Sequence, residues 1–258
     1  MKKCILNIIV ILIICSCNTS DKSIDQKPNI LLIIVDDMAD WVGRTDKYPG
    51  LITPNIDKLS ERGTFFTNAY CTSPICGPSR AAMLTGLRPE TSGVYHNVGT
   101  YFDYMPDAVA FPEYFRLNGY YVMGAGKINH AATKVMNENW DEYGPGTGIV
   151  GTPFTDEEIS TENMDPTVDI KREKWEVVLP MNGISTIDRP FNKWSTFDWG
   201  PLPVDDNEMP DGKIANWAVG RFAKQYDKPF LLGVGFYKPH LPFFVPQKYF
   251  DIYKNDTI

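Results

Sequence analysis

Ile30-Leu31-Leu32-Ile33-Ile34-Val35-Asp36-Asp37 is the stretch that decides the fold class. Its first six residues are an unbroken apolar run. A strand with one wet face would alternate, so an unbroken run suits a parallel strand buried on both faces. The run passes without a turn residue into two adjacent carboxylates. Like charges side by side at the end of a buried strand repel one another, and are best tolerated if a cation holds them. In open α/β sheets, ligands gather just outside the carboxyl ends of the strands. Standing alone, such a pair is more often a solvated Asp-Asp turn.

Working outward, the same pattern recurs. Thr53 to Gly63 predicts a helix, with Thr53 as N-cap, Pro54 at the first position and Gly63 as the stop. Thr64 to Tyr70 is β-branched and aromatic, which predicts a second strand. Phe111 to Asn118 predicts a helix ending at Gly119, and Tyr120 to Ala125 a third strand. Asp211 to Tyr226 predicts a helix with Ile214, Trp217, Ala218 and Phe222 on one stripe. Phe230 to Phe236 is the fourth strand. Alternating strands and helices imply an α/β fold with a largely parallel sheet flanked by helices. The third strand runs into Lys127-Ile128-Asn129-His130 and the fourth into Tyr237-Lys238-Pro239-His240. Three strands thus deliver polar residues to one edge. Between Ala131 and Met209 the periodicity dissolves into Gly, Pro, Asp and Trp. This reads as excursions over one face of the sheet, either part of a substrate pocket or plain irregular packing.

The 258 residues carry 25 Lys+Arg against 32 Asp+Glu, a net charge of −7, which speaks against a nucleic-acid partner. A hydrophobic fraction of 43% suffices for a core and excludes a disordered chain. Five Cys are too few for a disulfide framework at this length, and three His (His96, His130, His240) exclude a His-rich metal cage. The N-terminus reads as an address. Met1-Lys2-Lys3 is basic, and Ile5 to Cys15 is apolar and too short to span a bilayer. Ile14-Cys15-Ser16-Cys17 resembles a bacterial lipobox. The expected organisation is a lipoprotein signal peptide over 1–16, a polar tether over 17–27 beginning at a lipidated Cys17, and one domain over 28–258. Such a chain would sit in the bacterial cell envelope, held to a membrane by lipid. Ordinary cleavage without lipid is the alternative.

Cys71-Thr72-Ser73-Pro74-Ile75-Cys76-Gly77-Pro78-Ser79-Arg80-Ala81-Ala82-Met83-Leu84-Thr85-Gly86 carries the most chemistry. Pro78 can start a helix and Gly86 can end it. Cys76 then lies at a helix N-terminus, where amide donors favour an anion and lower a thiol pKa. On physical grounds it could be a nucleophile, a metal-bound thiolate, or half of a Cys71–Cys76 disulfide.

Cys76-Gly77-Pro78-Ser79-Arg80 with Leu84-Thr85-Gly86 resembles the signature of the type I sulfatases, in the alkaline-phosphatase superfamily. Pro28-Asn29-Ile30 leading to Asp36-Asp37, Thr53-Pro54-Asn55-Ile56-Asp57, Gly126-Lys127 with His130, and Lys238-Pro239-His240 also match. The spacing of Lys127 and His130 and the Lys-Pro-His ending look most like the iduronate-2-sulfatase branch. The resemblance implies an alkaline-phosphatase/sulfatase-like fold and a sulfuric ester hydrolase acting on a sulfated sugar or glycan, including glycosaminoglycans. It implies that a formylglycine-generating or anaerobic sulfatase-maturing enzyme oxidises Cys76 to formylglycine, whose hydrate attacks sulfur. A calcium ion would be held by Asp36, Asp37 and residue 76. Arg80 would steady the modified side chain, and Lys127 would neutralise sulfate charge. His130 would take the proton of the hydrate, and His240 would protonate the leaving alkoxide. Lys238 would help hold the anion.

The family's second pair of calcium ligands, an Asp followed by His or Asn, and a further Lys lie past the Lys-Pro-His segment. No such pair stands between His240 and Ile258. The expectation is therefore the N-terminal portion of such a domain, truncated on its C-terminal side, with a half-built calcium site. A phosphodiesterase or phosphonate hydrolase of the same superfamily, and an inactive glycan-binding lipoprotein, are the competing readings.

Overall fold

The computed structural model describes residues 27–45, 47–97, 99–130, 139–148, 151–153, 170–172, 177–179 and 199–253. The expected signal peptide and Cys17, the tether up to residue 26, much of the 131–209 excursion and the last five residues lie outside them.

The strands are β1 (Ile30–Val35), β2 (Tyr121–Gly126), β3 (Glu142–Tyr143), β4 (Ile170–Arg172), β5 (Val177–Leu179), β6 (Trp199–Leu202), β7 (Phe230–Phe236) and β8 (Phe243–Pro246). The helices are α1 (Pro54–Arg62), α2 (Cys76–Thr85), α3 (Pro89–Ser92), α4 (Tyr101–Tyr104), α5 (Phe111–Leu117), α6 (Pro210–Phe222) and α7 (Gln247–Asp251). The main sheet has the order β1-β7-β2-β3 and is parallel throughout. β4 and β5 form an antiparallel pair, and β6 and β8 a parallel one.

Register explains why the polar residues meet. Val35 lies beside Phe236, and Gly126 beside Gly235. The residues that follow therefore leave the sheet at one edge. The Asp36 N–H still reaches the Phe236 carbonyl at 3.1 Å, and the Lys127 N–H the Gly235 carbonyl at 2.7 Å. A Cβ on Gly235 would run into the Lys127 carbonyl, and one on Gly126 into the Gly235 carbonyl. Gly126 also has a φ of +75°, which a residue with a side chain rarely adopts. The close approach of these two strand ends therefore requires both glycines.

Successive residues of the central strands feed opposite cores. Val122 and Leu231 join Ala81 and Leu84 of α2 on one face, while Met123 and Leu232 join Ile214 and Ala218 of α6 on the other. β1 departs from the expected burial. Leu31 and Ile33 remain 47% and 49% exposed, because β1 is at the end of the strand order and α6 packs over β7 and β2.

Other expectations are corrected locally. Thr64 to Tyr70 forms turn and coil instead of a strand, with Phe66 and Tyr70 exposed. Its composition favours a pleated surface only where a neighbouring strand supplies a partner. Thr53 precedes α1 without capping it: Oγ1 accepts the Gly43 N–H at 2.7 Å and bonds Asp57 Oδ1 at 3.0 Å. Gly63 follows α1 in extended conformation, whereas Gly86 and Gly119 take the left-handed one expected of stops. α2 begins at Cys76, two residues before Pro78, and α6 ends at Phe222, short of Tyr226.

Candidate active site

The site begins with α2. Ile75 is extended, the helix opens at Cys76, and Pro78, Arg80, Ala81, Ala82 and Leu84 are buried. This packing fixes residue 76 at the helix N-terminus, half-buried, and turns Arg80 one turn further along toward the strand ends. The Cys76 Sγ lies 3.1 Å from His130 Nδ1. Asn97 closes the other side: its Nδ2 is 3.4 Å from Sγ, and its Oδ1 accepts the Gly77 N–H at 2.7 Å. A Cβ on Gly77 would collide with that Oδ1, so the approach depends on glycine there. Sequence reasoning missed Asn97. It comes from a loop after α3, and neither its neighbours nor its spacing carry a periodic signal. Cys71 and Cys76 are both free thiols, so the disulfide alternative does not hold in this structure.

Asp36 is the electrostatic centre. It is buried, and Arg80 Nη2 donates to its Oδ1 at 2.9 Å while Lys127 Nζ donates to Oδ2. Burial alone would raise the Asp36 pKa; the hydrogen bond and charge of Lys127, with those of Arg80, outweigh it and hold the carboxyl below its ordinary value. The Lys127 ammonium also lies 4.6 Å from the centroid of the Tyr237 ring. Among the described residues Arg80 keeps two buried donors, Nε and Nη1, with no acceptor, which is costly in a finished interior and marks a place for an oxygen-bearing group. Burial lowers the His130 pKa, and the Lys127 and Arg80 charges lower it further. His130 is therefore neutral at neutral pH.

Asp37 adopts a φ of +54° directly after Asp36. One ligand atom from each of Asp36, Asp37 and His240 lies within 4.8 Å of the others, and His240 Nε2 is 3.8 Å from Asp37 Oδ2. The expected metal set was Asp36, Asp37 and Cys76. Among the described residues the group that could hold an ion joins His240 to the two carboxylates, and the Cys76 thiol faces His130 and Asn97. Two carboxylates are the hard oxygen donors that calcium selects, so they fit one side of a calcium site; an imidazole nitrogen is not a usual calcium ligand. Lys238 donates from Nζ to the carbonyls of Pro242 at 2.6 Å and His240 at 3.4 Å. Burial lowers its pKa to about 8 against the charge of Asp211. The structure thus brings Asp36, Asp37, Cys76, Arg80, Lys127, His130 and His240 together, and places the Lys238 ammonium on its own loop.

A parallel α/β sheet whose strand ends gather two carboxylates, a lysine and two histidines around a helix-terminal cysteine defines a sulfatase-like fold. The chain belongs to the sulfatase family, whose model matches residues 28–257. It is 36% identical over 260 residues to a sulfatase of Formosa agariphila, covering 94% of this chain and 46% of that protein. Human iduronate 2-sulfatase is 29% identical over 243 residues, covering 93% of this chain and 40% of the human one. The crystal structure of Ps i-CgsB superposes with a TM-score of 0.62 at 25% identity, covering 90% of this chain and 50% of that one. The chain thus spans less than half the length of these curated relatives.

Proposed function

We propose that this chain forms the nucleophile-bearing part of a sulfuric ester hydrolase that removes sulfate from sulfated saccharides, in the branch resembling iduronate 2-sulfatase. The observation that carries the reading is the pairing of Cys76 Sγ with His130 Nδ1 at 3.1 Å, beside an Arg80–Asp36–Lys127 cluster. Residue 76 would act as formylglycine, made by a maturing enzyme, and a calcium ion would rest on Asp36 and Asp37. Together they would supply a hydrated aldehyde as nucleophile and a Lewis acid for the sulfate oxygens.

The chain's own residues do the rest. His130, kept neutral by burial and by the neighbouring cations, accepts a proton at Nδ1, the atom that faces residue 76. The free Arg80 donors and the Lys127 ammonium stabilise negative charge at a buried site, where such interactions are stronger than in water. His240 presents Nε2 on the Asp37 side and donates a proton to the leaving sugar oxygen. The net charge of −7 opposes anionic substrates at long range, so affinity depends on this local cluster.

The test is co-expression with a formylglycine-generating enzyme and mass mapping of the peptide containing residue 76. Release of sulfate from an aryl sulfate and from sulfated disaccharides is then measured for this chain and for a version extended by a relative's second half. Conversion of Cys76 and sulfate release by the extended protein are expected. An unmodified Cys76, or a converted protein that cleaves a phosphonate monoester in preference to every sulfate ester, refutes the reading.

A further inference from the structure

Asp211 is the second residue of α6. A carboxylate there usually serves its own helix's free amides or dipole. Here it reaches across to the exit of β7. Its Oδ1 accepts the Tyr237 N–H at 2.8 Å, and its Oδ2 accepts the Lys238 N–H at 2.9 Å. One carboxylate thus holds two consecutive amides at the point where the chain leaves the sheet. Burial pushes the Asp211 pKa up, and the two amides and the Lys238 ammonium oppose it. The start of α6 is itself braced: a Cβ on Gly212 would collide with the Asp206 carbonyl.

What Asp211 holds leads directly to the site. The Tyr237 carbonyl accepts the His240 N–H at 3.0 Å, closing a turn. The Tyr237 ring lies 4.6 Å from the His240 ring, centre to centre, and carries the Lys127 ammonium at the same distance on its centroid. Tyr237 therefore touches His240 through backbone and ring, and touches Lys127 through its ring. Its own backbone is set from α6.

We propose that Asp211 is a positioning residue: by clamping the amides of Tyr237 and Lys238, it sets the turn that presents His240 to Asp37 and seats the Tyr237 ring against Lys127. That this turn serves catalysis rests on the function proposed above; the clamp itself does not.

The 258-residue chain contains three histidines, so its imidazole NMR resonances are few, and His240→Gln identifies those of His240. Asp211→Asn keeps the size of the side chain and replaces one acceptor by a donor. The His240 ring resonances should move toward their unfolded positions while those of His96 stay in place. A lower melting temperature with the His240 resonances unmoved would assign Asp211 a merely structural part and overturn the proposal. Should the variant not fold, amide hydrogen exchange of the wild type decides. Protection of Tyr237 and Lys238 comparable to that of β7 is expected, and fast exchange at both overturns the clamp. In an extended, formylglycine-bearing protein, Asp211→Asn should lower kcat with little change in KM. Absence of turnover in the parent would count against the function proposed above, while the NMR and exchange results would still judge the clamp.

Discussion

Asp36→Asn removes one negative charge and almost no volume. Asp36 is 5% exposed and receives both Arg80 and Lys127, whose side chains are 5% and 9% exposed. Neither cation can escape to water without moving α2 or the end of β2. Removing one member of a buried ion pair costs about 3–5 kcal/mol, chiefly because the partner charge stays buried and uncompensated. Asn keeps one carbonyl acceptor, so about 3 kcal/mol is the reasonable figure. For a domain of this size each kcal/mol shifts Tm by about 2–4 °C. The variant should therefore melt about 6–12 °C below the wild type in chelator at neutral pH. The sign with pH follows from the lowered Asp36 pKa. Its contribution is complete above the ordinary value of 3.8 and is lost as pH falls through the lower folded value, so the gap should close in strong acid. Thermal unfolding followed by circular dichroism at pH 7 and below pH 4 measures both effects. A neutral-pH Tm within about 2 °C of wild type, under ~1 kcal/mol, would show that the two cations are not buried against Asp36 in solution, and the electrostatic description would fail.

Three further outcomes are expected. Gly235→Ala should lower the urea midpoint by the equivalent of about 1–3 kcal/mol or more, since its methyl would meet the backbone of Lys127 and Ile128 and no flexible side-chain end that could give way; an unchanged midpoint would contradict the close strand approach. Calcium should stabilise the fold, by about 2.7 kcal/mol when the ion stands at 100 times its Kd, and so raise the melting temperature, and Asp37→Asn should abolish the rise; an equal rise in both proteins would remove Asp37 from the site. We propose that the chain is exported and lipidated on Cys17, so Cys17→Ala should move the protein from the membrane fraction to the soluble one. A wild type already soluble would refute that.

Much of the architecture was legible because it rests on local chemistry. The runs Ile30–Val35, Tyr121–Gly126 and Phe230–Phe236 are apolar enough to be recognised as strands, and Gly86 and Gly119 end their helices through a conformation other residues avoid. Thr64 to Tyr70 was misread because strand propensity counts only where a partner is available. Thr53 was misread as a cap because its hydroxyl meets Gly43 and Asp57 instead, a choice made by tertiary packing.

The division at the site follows the same physics. Sequence alone determined which residue types stand at the strand ends and that Cys76 lies near the start of a helix, since order along the chain and apolar patterning dictate both. Only the tertiary structure decided their partners. Parallel register levels the ends of β1, β7 and β2, so that Asp36 receives Arg80 and Lys127 and His240 joins the two carboxylates. Asn97 beside Cys76 and Asp211 beneath Tyr237 come from segments 21 and 26 residues away in sequence, and a hydrogen bond between such groups leaves no periodic trace in the chain that makes it.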